Sequence, residues 1–325
     1  MSDKNNHSSV NKTVKIGTRE SKLALLQTDM VVEELAKNFP DLKVEVIHIT
    51  TGGDKVQDRP IADLGTRGVF VKELEEALFD NRVDLVVHSL KDLPTDMPAG
   101  LTLAAVLNRS DSRDVVVSHD KTKFMDLKPG SKVATSSRRR AAQLQNLRSD
   151  LQFIDVRGNI PTRLRKHDEG LCDAMILAAA GLLRLDLADR ITEYLDYDIS
   201  TPAAGQGALA VECRADDTTV LSLVTAIEDP RVRAEITAER AFLEKLGGGC
   251  SVPIGAFAET HDDGSIHLRG CVASADGLEV IRSTEDGVPE NAVALGQSLA
   301  KKMLKLGAGN LLEHLRQIPI TISPP

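Results

Sequence analysis

The segment Val83-Asp84-Leu85-Val86-Val87-His88-Ser89-Leu90-Lys91-Asp92-Leu93-Pro94 holds the plan of the molecule in twelve residues. Its first half is a short apolar run rich in valine, without polar alternation, which predicts a strand buried on both faces. Such strands belong to mostly parallel sheets with helices on both sides. The second half turns polar at the strand end and is closed by Pro94. The same rhythm recurs on either side. Val14 to Gly17 reads as a strand, Ser21 to Asn38 as an amphipathic helix, Lys43 to Ile49 as a strand and Phe70 to Asn81 as a short helix. Downstream come LTLAAVL and, after Asp111, DVVVS, KVATS, a helix over Arg138 to Arg148, QFIDV, a short helix after Pro161, and DAMILA. Strands alternating with helices predict α/β units.

The last quarter breaks that rhythm. Asp229-Pro230 has the form of an N-cap followed by a first-turn Pro, and the helix it opens stops at Gly247-Gly248-Gly249. Three strand-like runs around Ile254, Ile266 and Val280 follow in hairpin order, then a helix from near Pro289. The expected organisation is a disordered tail over 1–12 and a first α/β unit over 13–110, to which 206–228 returns. A second α/β unit covers 111–205, and a small α+β unit covers 229–325. The links near Ser110 and Thr201 are expected hinges.

Composition removes several function classes. The 325 residues suit two or three domains. A net charge of -8 argues against a general nucleic-acid binder. Two Tyr, seven Phe and no Trp leave little from which to build base-stacking platforms. The longest apolar run, Ala174 to Leu183, falls short of the roughly 18 residues of a membrane span. The opening MSDKNNHSSVNK lacks the apolar core of a signal peptide. Four cysteines without a CxxC pair, and eight scattered histidines, give no metal site and suit a reducing, cytoplasmic compartment.

Polar clusters stand at the ends of successive strands. TRES (Thr18 to Ser21), HSLKD (His88 to Asp92), TSSRRR (Thr135 to Arg140) and RGN (Arg157 to Asn159) each follow a strand. In open α/β sheets ligands bind beyond the carboxyl ends of the strands, so four clusters split between two units predict a cleft between them. The charge is local too. Lys128 to Lys166 holds ten bases and two acids, about +8, which leaves the remaining chain near -16. The bases are mostly Arg, suited to bidentate recognition of carboxylate or phosphate. Arg148, Arg165 and Lys166 also fit a solvated helix face.

Lys91 beside Asp92 could form an acid/base pair or stabilise a cation, and an exposed ion pair fits the same two residues. Cys250, at a glycine-rich loop tip, suits a covalent attachment point, whereas Cys172, Cys213 and Cys271 lie in apolar runs and read as packing residues. Gly205, Gly207 and Ala210 match a dinucleotide-binding pattern, but a strand-like run comes after them where that motif requires a helix. TGGD (Thr51 to Asp54) lacks the Lys of a phosphate-binding loop.

Taken in order, GTRESKLAL, VDLVVHSLKDLP, ATSSRRR, RGNIPTRL, LAAAGLLRL, GQGAL and GGGCSVPIGA resemble the hydroxymethylbilane synthase (porphobilinogen deaminase) family, from about Val14 onward. The resemblance implies two periplasmic-binding-protein-like α/β domains around a cleft plus a small C-terminal α+β domain. It implies a cytoplasmic, monomeric transferase that condenses porphobilinogen head to tail, releases ammonia, and frees a linear tetrapyrrole by hydrolysis. The primer is a dipyrromethane cofactor held by a thioether, and the matching thiol is Cys250. Asp92 matches the catalytic carboxylate. Lys91, Ser21, Thr135, Ser136, Arg139, Arg140 and Arg157 match cofactor-binding residues, and Arg19, Gln27 and Arg163 match substrate-binding ones. Neither nucleic acid nor membrane enters this picture. A non-enzymatic solute-binding protein with two α/β domains is the alternative that the fold alone leaves open.

Overall fold

The computed structural model describes residues 13–52, 71–107, 109–248 and 252–317; the expected tail over 1–12 and Cys250 lie outside them. The first unit is built from β1 (Val14–Thr18), α1 (Lys22–Asn38), β2 (Val44–His48), α2 (Lys72–Phe79), β3 (Leu85–Ser89) and β4 (Leu101–Leu107). The second contains β5 (Asp114–Ser118), β6 (Lys132–Ala134), α3 (Arg138–Leu147), β7 (Gln152–Ile154), α4 (Ile160–Asp168), β8 (Ala174–Ala178), α5 (Ala179–Arg184) and β9 (Glu193–Tyr194). The chain then returns to the first sheet with β10 (Leu209–Arg214) and α6 (Thr218–Thr225). The third unit has α7 (Pro230–Lys245), β11 (Ile254–Thr260), β12 (Ile266–Ala273), β13 (Val280–Gly287), α8 (Ala292–Met303) and α9 (Gly309–Gln317).

Helix starts follow local chemistry. Ser21, Ser137, Asn159, Asp217 and Asp229 each accept a hydrogen bond from an amide of the first helical turn, which satisfies a donor the helix itself cannot. Pro161 and Pro230 stand in the first turns of α4 and α7, where a missing N–H costs nothing.

Two five-stranded sheets result, ordered β2-β1-β3-β10-β4 and β7-β6-β8-β5-β9, beside an antiparallel β11-β12-β13 sheet. The α/β sheets are mixed, which corrects the expectation of mostly parallel pairing. In the first, β10 runs antiparallel to both its neighbours; in the second, β5 does. The cause is the double crossing between units. A strand arriving from the other unit enters at the cleft and must run away from it. Asp114, first in β5, therefore pairs with Ala178, last in β8, and Leu209, first in β10, pairs with Ser89, last in β3.

Helices cover both faces of the first sheet. Ile16, Val31, Leu35, Leu85, Leu209 and Val211 pack on the α1 and α6 side. On the other side Leu90, Leu93, Ala208 and Ala210 pack against Val232 and Ile236 of α7, so the third unit supplies part of that cover.

The two crossings touch. Ser110 N donates to Gly207 O at 3.1 Å, and a Cβ on Gly207 would lie 2.4 Å from Ser110 O. Gly205 is as confined, with a Cβ position 2.1 Å from Leu90 Cδ2. Both have positive φ, 78° at Gly205 and 94° at Gly207, a region only glycine enters freely. The glycines that mimic a nucleotide motif thus serve close backbone packing at the crossing. Arg109 ties the first unit to the third there, and Glu239 carries the link on to the end of the second. Arg109 donates to Gln206 O (3.0 Å), Glu239 Oε1 (2.6 Å) and Ala258 O (3.2 Å), while Glu239 Oε2 accepts from Gly205 N (2.6 Å).

Candidate active site

All four polar clusters stand at the carboxyl ends of β1, β3, β6 and β7. Lys91 and Asp92 lie in a single 3-10 turn, Leu90–Asp92, directly after β3. Leu90 is buried, while Lys91 and Asp92 are half-buried. Leu90 N donates to Ala208 O and Leu93 N to Leu90 O, which anchors the turn to the incoming strand β10.

From the second unit, α3 begins with Arg138-Arg139-Arg140, cations at the positive end of a helix dipole. That unfavourable placement is offset by Asp114, which is fully buried. Arg139 donates to Asp114 Oδ2 (2.7 Å) and Oδ1 (3.3 Å) and to Thr201 O (2.7 Å). Arg140 donates to Asp114 Oδ1 (2.8 Å). Burial by itself would raise the Asp114 carboxyl, but Arg139 and Arg140 outweigh it and hold the group well below the usual carboxylate range.

Gln206, at the crossing and 1% exposed, joins the two units. Its Oε1 accepts from Lys91 Nζ (3.4 Å) and Arg140 Nη2 (3.3 Å), and its Nε2 donates to Asp114 Oδ1 (2.9 Å) and Ser112 O (2.7 Å). Burial and the nearby Arg140 push the Lys91 ammonium from its ordinary 10.5 down to about 8, with Asp92 and Asp114 opposing. Burial likewise takes the Arg163 guanidinium down to about 10, Arg140 and Arg157 adding to the effect and Asp155 and Asp92 opposing it. Lys91, Asp92, Arg140, Arg157 and Arg163 therefore feel one another's charge across the cleft.

The remaining expected residues surround this group. Gln27 on α1 is buried and exchanges hydrogen bonds with Ser89 Oγ at 2.7 and 3.2 Å, which ties α1 to the end of β3. Ser21 caps α1, accepting from Ala24 N at 3.3 Å. Thr135 is buried and accepts from Ser137 N, and Ser136 beside it is half-buried. Arg19 and Arg157 are half-buried at the ends of β1 and β7. Arg148 instead pairs with Asp150 and Arg165 with Glu169 (2.6 Å), away from this group.

Sequence reasoning missed four members. Asp114 opens its strand and Gln206 precedes one, whereas the polar clusters named from the sequence all lie after strand ends. Asp155 entered only as a charge; its Oδ1 is buried without a hydrogen-bond partner among the described residues. Arg184 looks in sequence like a cation favourably placed at a helix C-terminus. Its Nη2 donates to Gly207 O at 2.6 Å, its Nε is buried without a partner among the described residues, and burial alone lowers it to about 10. Cys172, Cys213 and Cys271 are buried, and burial pushes their thiols up to about 12, 11 and 11. None is a ready nucleophile.

Among the described residues the site is short of anions: several buried or half-buried cations face few carboxylates, and the Arg184 Nε has no acceptor. Comparison with known proteins identifies the family. Residues 14–222 match the model of the porphobilinogen deaminase dipyrromethane cofactor binding domain, and 233–305 that of the porphobilinogen deaminase C-terminal domain. The porphobilinogen deaminase of Brevibacillus brevis is 46% identical over 304 residues, spanning 93% of this chain and 98% of its own length. That of Roseiflexus sp. is 49% identical over 300 residues, spanning 92% and 98%. The chain belongs to the porphobilinogen deaminase family. The family's activity is hydroxymethylbilane synthesis, a transferase reaction on porphobilinogen in tetrapyrrole biosynthesis, with a dipyrromethane cofactor. Among solved structures, the periplasmic VFT2 domain of Bordetella pertussis BvgS matches 66% of this chain and 86% of its own at 16% identity and a TM-score of 0.40, too low to carry weight. No helix among the described residues is long and apolar enough to cross a membrane.

The family's cofactor fits the residues present. A dipyrromethane brings carboxylates, and the described residues offer them Lys91 and Arg163, two cations whose charge burial disfavours until a counter-charge arrives, together with the Arg184 Nε donor at the crossing. One consequence is measurable. In the ligand-free chain the Lys91 amine should react with an amine reagent along a pH curve centred near 8, shifting upward once a polycarboxylate binds. An inflection at the ordinary lysine value in the free chain would overturn the assignment. Because the folded state releases this proton earlier than the unfolded chain does, stability from Lys91 rises with pH between about 8 and about 10.5.

Proposed function

We propose that this chain condenses porphobilinogen on a dipyrromethane primer attached to Cys250, with Asp92 as the catalytic carboxylate, acting as a cytoplasmic monomer. The observation carrying this reading is the meeting of Lys91-Asp92 from one α/β unit with Arg140 and Arg163 from the other, where cations outnumber carboxylates among the described residues. The division into 13–110 with 206–228, 111–205 and 229–325 belongs to the proposal and follows the three sheets.

Each substrate brings an acetate and a propionate, so the growing chain is a polyanion. Lys91, Arg19, Arg157, Arg163, Arg140 and the unpredicted Arg184 bind those carboxylates; hydrogen bonds to charged groups contribute roughly 1.5–3 kcal/mol each. Arg139 is committed to Asp114 and Thr201 and holds the helix that presents Arg140. Ser21, Thr135 and Ser136 line the same strand ends with hydroxyls, and Gln27 keeps α1 docked on β3. Loss of ammonia from porphobilinogen leaves a cationic methylene-pyrroline, whose charge the Asp92 carboxylate stabilises. When bound, the dipyrromethane supplies the pyrrole terminus on which the chain grows.

Cys250 lies between described flanks. Six residues after it, Ala256 N donates to Pro202 O, next to the Thr201 carbonyl that Arg139 holds. Six extended residues reach at most about 20 Å, which supports a thiol within reach of the cleft. Intact mass together with porphobilinogen turnover tests the proposal. A dipyrromethane adduct that disappears in Cys250→Ser, and consumption of porphobilinogen, are expected. An unmodified chain that binds porphobilinogen without consuming it points to a solute-binding protein and ends the reading.

A further inference from the structure

Arg240, on α7 of the third unit, reaches the loop beyond the Lys91-Asp92 turn. Its Nη1 donates to Leu93 O (3.0 Å), and its Nη2 to Pro94 O (2.7 Å) and Thr95 O (3.4 Å). A planar fork of fixed donors suits three successive carbonyls. Around this clamp the packing is apolar: Leu90 and Leu93 sit in one buried cluster with Val232 and Ile236 of the same helix. Glu212 on β10 is fully buried, with Oε2 2.9 Å from His88 Nε2 and Oε1 without a partner among the described residues. Burial and the neighbouring Arg233 lower the Arg240 guanidinium, with Glu244 and Glu212 opposing, so the carbonyls of the loop are its hydrogen-bond partners.

The turn is thus held at both ends. Ala208 O anchors its start, and Arg240 fixes the residues just past Asp92. Cys250 follows Arg240 by ten positions in the sequence, through the end of α7 and the glycine loop. We propose that Arg240 is a positioning residue for the reaction: it sets the height of the Asp92 carboxylate relative to the helix that leads into the Cys250 loop. The proposal rests on the reading that Asp92 is the catalytic carboxylate and assigns Arg240 no contact with substrate.

The test uses the full chain carrying its cofactor. Arg240→Met keeps the apolar stem and removes every donor. Expected are a retained dipyrromethane adduct by mass, an unchanged KM for porphobilinogen, and a kcat lower by roughly 10- to 10²-fold, the scale of a small misplacement of a catalytic group. Hydrogen exchange in the peptide over 86–97 should quicken while that of α8 stays unchanged. Added to Asp92→Asn, Arg240→Met should slow turnover no more than about 2-fold further, because residues acting as a unit are not additive. A wild-type kcat in a folded Arg240→Met protein overturns the proposal, as does a double variant slowed by the full product of the two single effects. Should Arg240→Met fail to fold, Arg240→Lys decides: a kcat several-fold low at normal KM supports positioning, and a wild-type kcat refutes it. Normal turnover in Asp92→Asn alone sinks the parent reading instead.

Discussion

Asp92→Asn should yield a folded protein that turns over at least about 10²-fold more slowly. The substitution keeps the shape and a hydrogen-bonding oxygen of the side chain and removes only its charge. Charge is what the reaction asks for, since ammonia departs with its bonding electrons and leaves a cation. Preorganised electrostatic stabilisation of that kind is worth about 3–4 kcal/mol, or 10²–10³ in rate. Fold should survive because Asp92 is only half-buried and closes no helix or sheet. A second readout accompanies the first. Asp92 raises the affinity of Lys91 for its proton, so the variant should drive the Lys91 amine below about 8. Steady-state turnover and the pH curve of amine modification check the two effects, and near-normal turnover would reject the catalytic assignment.

Asp114→Asn should damage the fold itself. The carboxylate is fully buried and accepts five hydrogen bonds, two from Arg139 and one each from Arg140, Ser200 Oγ (2.7 Å) and Gln206. Removing its charge leaves two buried guanidinium groups without a counter-ion, a situation that costs about 3–5 kcal/mol. Urea unfolding should show that loss, and a difference below about 1 kcal/mol, the net worth of one ordinary hydrogen bond, would mean that solvent or rearrangement replaces the carboxylate. The pH dependence has a definite sign. The folded carboxyl is held below its unfolded value of about 3.9, so its stabilisation is present above that pH and is lost as pH falls toward the folded value. The Asn variant should lack this acid-sensitive contribution.

Local sequence makes part of this site easy to find and conceals the rest for a definite reason. Short apolar runs ending in polar turns expose strand, turn and direction at once, which is why HSLKD, TSSRRR and RGN can be placed on the correct edge. That inference assumes the strand runs toward the cleft. For β5 and β10 it runs away, and direction within a sheet leaves no mark on local hydrophobic pattern. Asp114 and Gln206, each standing before its strand or at the start of it, therefore escape notice although they join the two halves. Gln27 is ambiguous in sequence because its partner, Ser89, is 62 residues distant. Arg184 and Arg240 look like ordinary helix-surface cations until the carbonyls they reach are placed, and those carbonyls belong to other units.

The paired crossings have a consequence for how the cleft can accommodate a lengthening product. Ser110 and Gly207 are bonded to each other, and Lys91, Gln206, Arg140 and Asp114 lie against them. If one α/β unit swings relative to the other about that seam, each atom travels an arc proportional to its distance from the pivot. Groups at the pivot hardly move, while the mouth opens widely. The geometry is that of a nutcracker: room is gained at the far end of the jaws, and the polar groups around Gln206 remain near the fulcrum throughout.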